Sequence, residues 1–383
     1  MKEPPNPFRA LLFLVGSGSF LLWGTSAAIP LLRLEFGISR TLASAHNIAI
    51  GLGAVLGARF AVTLLKMFGR QHLTRAMILV MFLGVIAFVA GPNIWITIPG
   101  CGLAFYAQTT YNTLSLAQIA HNKNPSLRRM LLQTAIQAGV GGTSIFLISA
   151  SLHADLGWRL PIFVGAMVLS PLSLLVIWHV KFLDSPSTQT RDAQNMKISK
   201  LNYQVVLLGV TVTLLESGVS FWAIDLLISR GAVVAIGAFG SALLGVGMSM
   251  IRVGTALSHL KANQLMIASV ALLLSGILTV CLVHSAGATM IGLVIAGSGT
   301  APLFAAGIFQ ISEGRVDAES RIAQFMMGSS ISLGLAPFAL ATIVDNAGFV
   351  VGYAMLSPVV CIAYFLWRNL GHRPPLIHNS FNN

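Results

Sequence analysis

The sequence is poor in charged residues, and this excludes a water-soluble globular protein. Only 9% of its 383 residues are charged, and 55% are hydrophobic. Soluble domains carry about 25% charged residues. So few charges cannot cover a surface in contact with water, and the mean hydropathy of +0.82 agrees. Most of the surface must therefore face lipid, which makes the bilayer the first expected partner.

The chain also has few cysteines and no catalytic motif. Its three cysteines lie in apolar runs without paired spacing, which argues against a metal or redox site. It contains no P-loop, no HExxH sequence and no nucleophile elbow. We therefore expect neither an enzyme nor an ATP-driven pump, and no cofactor. The net charge of +12 comes from scattered basic residues, a pattern that disfavours nucleic-acid binding.

Long apolar runs are what the sequence does contain. In hydrocarbon, backbone polar groups must be satisfied within the chain, which leaves α-helices or closed β-barrels. Runs of roughly 20 apolar residues favour helices over the roughly ten-residue alternating segments of a barrel. The sequence thus predicts twelve transmembrane helices, at 8–30, 40–65, 73–91, 94–120, 129–152, 159–181, 203–229, 232–258, 263–284, 287–311, 321–344 and 347–368.

The placement of basic residues predicts the orientation of these helices. Of the 23 Lys and Arg residues, seventeen lie in segments on one side of the predicted membrane and four on the other. The remaining two, Arg59 and Arg252, lie within helices. Because Lys and Arg concentrate on the cytoplasmic side, we expect a multi-pass protein of the cell (plasma) inner membrane with both termini in the cytoplasm.

A polar stretch divides the chain into two sets of six helices. The longest such stretch, 184–202, lies at the centre of the sequence and predicts a cytoplasmic linker. It separates an N-terminal six-helix bundle at 1–183 from a C-terminal bundle at 203–371. Residues 372–383 are then a cytoplasmic tail.

The two halves match each other at an offset of 193 residues. Arg59 corresponds to Arg252, and Arg128 corresponds to Arg321. Near the same offset, Leu156-Gly157-Trp158 corresponds to Ala347-Gly348-Phe349, just before the last helix of each half. Two matches at an offset of 193 residues and a third at 191 indicate a six-helix duplication.

Three short segments resemble the major facilitator superfamily. The run from Pro30 to Ser39 is similar to that family's outer connection between helices 1 and 2. Gly157-Trp158-Arg159 is similar to the start of its helix 6, and Phe68-Gly69-Arg70-Gln71 to the end of its loop between helices 2 and 3. The family's Asp-Arg pair before that Phe is missing, since Lys66 and Met67 stand there.

The resemblance implies a fold and a function. The fold is an all-α membrane protein of twelve transmembrane helices in two pseudo-symmetric six-helix bundles, monomeric by analogy. The function is secondary active transport of small organic solutes by alternating access, with export favoured over uptake. A metabolite uptake permease, or a membrane sensor or scaffold that transports nothing, is the alternative.

Glu216 is the predicted site of proton coupling. A charge at the centre of a membrane helix costs about 2.5–3.5 kcal/mol on insertion scales, so such residues tend to face a cavity or the bundle interior. Glu216 lies midway along the seventh predicted helix, beside the hydroxyls of Thr213, Ser217 and Ser220. It predicts either a proton- or cation-binding group or a protonated carboxyl bonded to a neighbouring helix.

Polar side chains at helical spacing predict the substrate cavity. Gln108, Tyr111, Asn112 and Ser115 share one face of the fourth helix. In the resembled fold, helices 4 and 5 line the cavity; interhelical hydrogen bonding is the alternative. Amides and a phenol suit hydroxylated or zwitterionic solutes. The predicted cavity residues are Trp23, Gln108, Tyr111, Asn112, Gln133, Gln137, Ser220 and Trp222, although either tryptophan could instead serve in packing.

The remaining charges predict gating or structural contacts. Arg59 and Arg252 could attract an anion or extend to the cytoplasmic surface. Asp225 and Arg230 could form an ion pair at the outer end of the seventh helix. In the cytoplasmic loops, Arg128 and the acidic residues around Glu313 could pair across the halves and close that side; ordinary solvated charge is the alternative.

Overall fold

A computed structural model describes residues 7–120, 127–179, 201–258, 260–313, 315 and 317–371. Helices account for nearly all of these residues, and no strand occurs within these ranges. The helices are α1 Pro7–Phe36, α2 Arg40–Ala43, α3 Ala45–Ala90, α4 Ile94–Ala120, α5 Leu127–His153, α6 Arg159–His179, α7 Tyr203–Ser220, α8 Ala223–Ser229, α9 Val234–Leu257, α10 Ala262–Leu282, α11 Ala286–Thr300, α12 Leu303–Ser312, α13 Ala318–Ala354 and α14 Leu356–Gly371.

These helices correspond to the twelve predicted crossings. The backbone of α3 is non-helical at Gly69, where the second crossing ends and the third begins, and α13 changes crossing in the same way at Gly348. Two crossings are each built from two helices, the seventh from α7 and α8 and the tenth from α11 and α12. Within the described residues, ten segments are long and apolar enough to span a membrane, and α4 and the shorter α14 complete the set. The predicted multi-pass all-helical fold is confirmed.

Two ends of the molecule can be distinguished without reference to a membrane. We call the end where α1 and α7 begin the linker end, and the opposite end, where α1 finishes at Phe36, the far end. The predicted linker 184–202 lies outside the described residues except for its last two, and the predicted tail 372–383 lies entirely outside them.

Glycines in the left-handed conformation stand at equivalent places in the two halves. Gly37 and Gly231, with φ of 65° and 90°, follow the first crossing of each half. Gly157 and Gly348, with φ of 77° and 82°, precede the last crossing of each half. Glycine adopts this backbone conformation without steric cost. The match between residues 157 and 348 therefore has a structural basis in a shared turn.

The tenth crossing is broken near its middle. α11 ends at Thr300 and α12 begins at Leu303, on either side of Ala301 and Pro302. Proline has no backbone N–H and disrupts the preceding turn of a helix. The first intrahelical bond of α12 runs from the Ala306 N–H to the Pro302 carbonyl. The carbonyl of Ala301 is thereby left to a partner from outside the helix.

The two halves approach each other closely through glycine. A Cβ atom on Gly51 of α3 would lie 2.5 Å from the Cα atom of Gly334 in α13. Similarly, a Cβ atom on Gly245 of α9 would lie 3.0 Å from the Cα atom of Gly142 in α5. Small residues at helix crossings allow backbones to touch in a membrane, where water provides no hydrophobic driving force.

Candidate functional site

A central cavity of about 230 Å³ lies between the two halves. Helices α1, α3, α4 and α5 line it from the first half, and α7, α9, α12 and α13 line it from the second. Its walls combine amides, hydroxyls and aromatic rings with a single carboxylate and a single guanidinium.

Six of the predicted working residues line this cavity together. They come from four different helices that the sequence alone does not bring together. Arg252, for which extension to the surface was one of two alternatives, lines the cavity as well. The six are Trp23, Gln108, Asn112, Gln137, Glu216 and Ser220.

Tyr111 was predicted to line the cavity, but it points toward α1 instead. Its hydroxyl donates to the Oε1 atom of Gln108 and approaches the carbonyl of Leu14 at 3.4 Å. The hydroxyl occupies the space beside Gly18, where any side chain would overlap it. The prediction is wrong because helical spacing gives the face of α4 but not the gap that a glycine leaves in α1.

Gln133 and Trp222 are also buried away from the cavity. Gln133 is fully buried and donates from Nε2 to Ser115 Oγ at 3.3 Å, which joins α5 to α4. The indole N–H of Trp222 donates to the carbonyl of Pro337 in α13 at 2.9 Å. For both residues the packing alternative is correct, because each finds an acceptor on a neighbouring helix.

Glu216 and Arg252 form an ion pair at the wall of the cavity. Nη2 of Arg252 donates to both carboxylate oxygens, at 3.1 and 3.2 Å. The Arg252 side chain is 3% exposed and that of Glu216 is 21% exposed. Glu216 is therefore a paired carboxylate rather than an isolated one, and it keeps one edge open to the cavity.

The guanidinium of Arg252 also binds two backbone carbonyls. Its Nε donates to Ala301 at the break in the tenth crossing, at 2.6 Å, and its Nη1 donates to Thr134 of α5 at 2.9 Å. The bond to Thr134 connects the second half to the first. A single arginine thus ties together α9, the α11–α12 break, α7 and α5.

Of the two alternatives predicted for Arg252, extension to the linker end is wrong. Side chains tilt toward the N-terminus of their own helix, and α9 runs from the far end to the linker end. Arg252 consequently points back toward the middle of the molecule. Arg59, its predicted repeat partner, is exposed, lies 6.0 Å from the ring of Phe60 and does not line the cavity.

Trp23 is held between glycines of both halves. A Cβ atom on Gly141 of α5 would lie 2.5 Å from the indole ring, and one on Gly245 of α9 would lie 3.2 Å from it. The ring fits there because neither position carries a side chain. It therefore forms part of the cavity wall at the α5–α9 contact.

At the far end, ion pairs connect the two halves. The buried carboxylate of Asp225 accepts from Arg33 Nη2 at 3.1 Å and from Arg40 Nε at 2.8 Å. Arg40 Nη1 also donates to Asp345 at 3.1 Å, and both the N–H and the hydroxyl of Thr41 donate to the same carboxylate. We call Arg33, Arg40, Thr41, Asp225 and Asp345 the far-end cluster.

The predicted pair of Asp225 with Arg230 does not form. Five residues of helix rotate a side chain to a different face, whereas neighbours on one face are three or four apart. Asp225 points instead at the first half. The arginines that bind it could have been suspected from their opposite charge in the predicted outer segments, but nothing local identifies them as partners.

At the linker end, Arg128 and Glu313 are both exposed, and they do not pair with each other. The ion pair described there joins Arg321 to Asp317 at 2.8 Å, within the first turn of α13. The predicted pairing of Arg128 with Glu313 is therefore not made in this conformation. Lys123, which belongs to the same predicted loop as Arg128, lies outside the described residues.

The residues that the structure describes contain no group of three or more His, Cys, Asp or Glu side chains suited to a metal ion. The cavity itself offers hydrogen-bond donors and acceptors, aromatic faces and one carboxylate.

Comparison with known proteins gives the class of the fold. No family model matches the sequence, and no curated protein matches it either. The solved proton:xylose symporter XylE matches with a TM-score of 0.72 and 12% identity, over 95% of this chain and 96% of that one. The human organic anion transporter TETRAN matches with a TM-score of 0.70 and 14% identity, over 94% and 100%.

A further match is FucP, a major facilitator superfamily transporter in an outward conformation. Its TM-score is 0.68 and its identity 14%, over 96% of this chain and 99% of FucP. All three solved proteins are transporters. The chain has the major facilitator superfamily fold over nearly its whole length, as its short motifs predicted.

Proposed function

We propose that this chain is a secondary active transporter of a small, uncharged, hydroxylated organic solute, coupled to protons through Glu216. The observation that carries the proposal is the Glu216–Arg252 ion pair. It opens on a cavity between two halves, and its arginine also holds the opposite half through the Thr134 carbonyl. A site of this kind can respond to a proton and to a solute at once.

The chemistry of the cavity wall supports a neutral, hydroxylated substrate. Gln108, Asn112 and Gln137 provide amides, and Trp23 provides a face on which a ring can stack. Because the only carboxylate and guanidinium neutralise each other, the wall offers no net charge to an anion or a cation. Among the similar transporters, the symporters of xylose and fucose and a nucleoside transporter support this choice, whereas TETRAN is an organic anion transporter.

Protonation of Glu216 gives a physical route for coupling. A neutral carboxyl no longer attracts the guanidinium as a charge, so the two bonds to Arg252 Nη2 weaken. The buried guanidinium is then without its counter-ion and favours any arrangement that provides a new acceptor or water. Since Arg252 also binds Thr134, this change alters the contact between the halves. Solute and proton thereby act on the same two-state element.

The decisive measurement is flux in liposomes containing the purified protein. We expect a pH gradient to drive accumulation of at least one of labelled xylose, fucose and uridine. Glu216→Gln should abolish this accumulation but retain exchange of labelled for unlabelled solute, because the cavity survives. The sign of the pH gradient that drives flux also separates uptake from export, and export remains the prediction from the resemblance.

Asp155→Asn is the matched control, since Asp155 is an exposed carboxylate outside the cavity. It should behave as the unmodified protein. Accumulation that persists in Glu216→Gln with its pH dependence intact would refute coupling at this residue. The alternative of a sensor or scaffold would be favoured by two results together. The folded protein would transport none of the solutes, and no member of a wider solute panel would change its thermal stability.

A further inference from the structure

A second concavity lies on the outer surface of the first half, between α1, α5 and α6. It encloses about 820 Å³ and is lined almost wholly by apolar side chains, none of which lines the central cavity. Phe13, Leu147 and Val164 are among the lining side chains that stand exposed. In a membrane protein such a surface faces hydrocarbon. We call this concavity the α1–α5–α6 groove.

The groove has basic residues at its linker end. Its first lining residues on α1 are Leu12 and Phe13, and Arg9 precedes them by one turn on the same face. Its first lining residue on α5 is Ile136, and Arg128 precedes it by eight residues, which at about 100° per residue places Arg128 at the edge of that face. Both arginines are exposed.

The two arginines are at the same level because α1 and α5 run in parallel with a constant register. Gly16 faces Ile136, and Gly24 faces Ser144, a difference of 120 residues in each case. The same difference places Arg9 level with residue 129, next to Arg128. Two positive charges from adjacent helices therefore flank the linker end of the groove.

The far end of the groove carries a negative charge instead. Asp155 is exposed there, between the lining residues Ala154 and Leu156. The nearby Arg159 is already engaged, since it donates to Glu35 and to the carbonyl of Val89. An elongated apolar molecule with an anionic head would thus be attracted at the linker end and not at the far end.

We propose that the α1–α5–α6 groove binds an acyl chain of an anionic phospholipid, whose phosphate lies between Arg9 and Arg128. The apolar lining takes the chain, and the charges select the head group. This lipid would come from the leaflet at the linker end. That is the predicted cytoplasmic side, where anionic lipids give the membrane a negative surface.

Native mass spectrometry of the delipidated protein tests the proposal. Phosphatidylglycerol and phosphatidylcholine with the same chains are titrated separately, and the bound populations give the affinities. A basic residue near the membrane surface strengthens attraction to anionic lipid by about fivefold. Arg9→Gln with Arg128→Gln should therefore weaken binding of phosphatidylglycerol by about 25-fold and change that of phosphatidylcholine little.

Two further variants make the test specific. Arg59→Gln removes an exposed arginine outside the groove and should leave phosphatidylglycerol binding unchanged. Ala150→Trp fills the groove from an exposed lining position and should weaken binding of both lipids. Equal losses of phosphatidylglycerol affinity in Arg59→Gln and in the double variant would overturn the head-group site. Unchanged binding of both lipids in Ala150→Trp would overturn the acyl-chain site. Unchanged melting temperatures confirm that each variant is folded.

Discussion

At the scale of single residues, the position of Trp23 depends on the absence of a side chain elsewhere. The indole ring packs directly on Gly141 and Gly245, which belong to different halves. It lines the cavity at the same time. A substitution at Gly141 or Gly245, behind the indole ring, can therefore alter the shape of the cavity without contacting a bound solute.

Gly141→Ala tests this dependence. The new Cβ atom would lie 2.5 Å from the ring, so the ring must move into the cavity, and we expect the affinity for solute to fall about tenfold, equivalent to about 1.4 kcal/mol. Solute exchange in liposomes at varied concentration measures this change. Trp23→Phe in the same protein should restore part of the affinity because the smaller ring leaves room.

Gly254→Ala is the control for that experiment. It makes the same chemical change in a helix where nothing lies within 4 Å of the new atom, and alanine favours helix over glycine by up to about 1 kcal/mol. It should preserve affinity and stability. If Gly141→Ala also preserved affinity, Trp23 would not determine the shape of the cavity.

Some residues of the site could be predicted from the sequence, because the pattern that identifies them lies within a single helix. Gln108 and Asn112 lie in the cavity because helical spacing puts them on one face of α4, and Glu216 stands out as a costly charge in an apolar run. Tyr111 satisfies the same spacing, yet it is turned aside by the space that Gly18 leaves on another helix. Arg252 was misjudged for the same reason, because its acceptors come from other helices.

At the scale of helices, contact between α3 and α13 limits how the halves can move against each other. Gly51 and Gly334 bring the two backbones together with no side chain between them. Backbone atoms cannot rotate out of the way as a side chain can. Under the proposed transport function, the contact is therefore either made in full or opened as the two halves change arrangement.

Gly51→Ala should open this contact. The added methyl group would lie 2.5 Å from Gly334 Cα, and overpacking of this kind costs about 1–3 kcal/mol. We expect a lower melting temperature and faster labelling of a cysteine introduced at Thr41. Gly287→Ala, where nothing lies within 4 Å of the new atom, should change neither quantity. Unaltered labelling in Gly51→Ala would mean that the helices separate without this contact.

The extent of each helix was the most predictable part of the fold. The length of an apolar run can be read directly from the local sequence, so the predicted crossings agree with the observed helices to within a few residues. The exception is α1, which continues from Pro30 to Phe36. The breaks inside the seventh and tenth crossings were not predicted. A proline in an apolar run is tolerated in some membrane helices, as Pro99 is within α4, so Pro302 alone does not reveal a break.

At the scale of the whole molecule, the far-end cluster holds the halves together in this conformation. Asp225 is the shared acceptor, since its buried carboxylate binds both Arg33 and Arg40. By contrast, Glu35 binds Trp158 and Arg159 within the first half. The two carboxylates thus provide a test and its control at the same end of the protein.

Asp225→Asn should shift the molecule toward a state that is open at the far end. The amide cannot neutralise two guanidinium groups, and each charge-assisted hydrogen bond contributes about 1.5–3 kcal/mol. Spin labels on cysteines at Leu34 and Ala347 report the distance between the halves there. We expect a longer distance in Asp225→Asn and no change in Glu35→Gln. An unchanged distance in both would show that other contacts keep this end closed.

The far-end cluster has a consequence for how the protein is made. Arg33 and Arg40 are synthesised long before Asp225, so during translation the first half enters the bilayer with two cations that have no counter-ion yet. The second half has the complementary need, because both ion-pair partners given for the buried Asp225 carboxylate, Arg33 and Arg40, belong to the first half. Neither half is therefore electrostatically complete at this end until the other is in place.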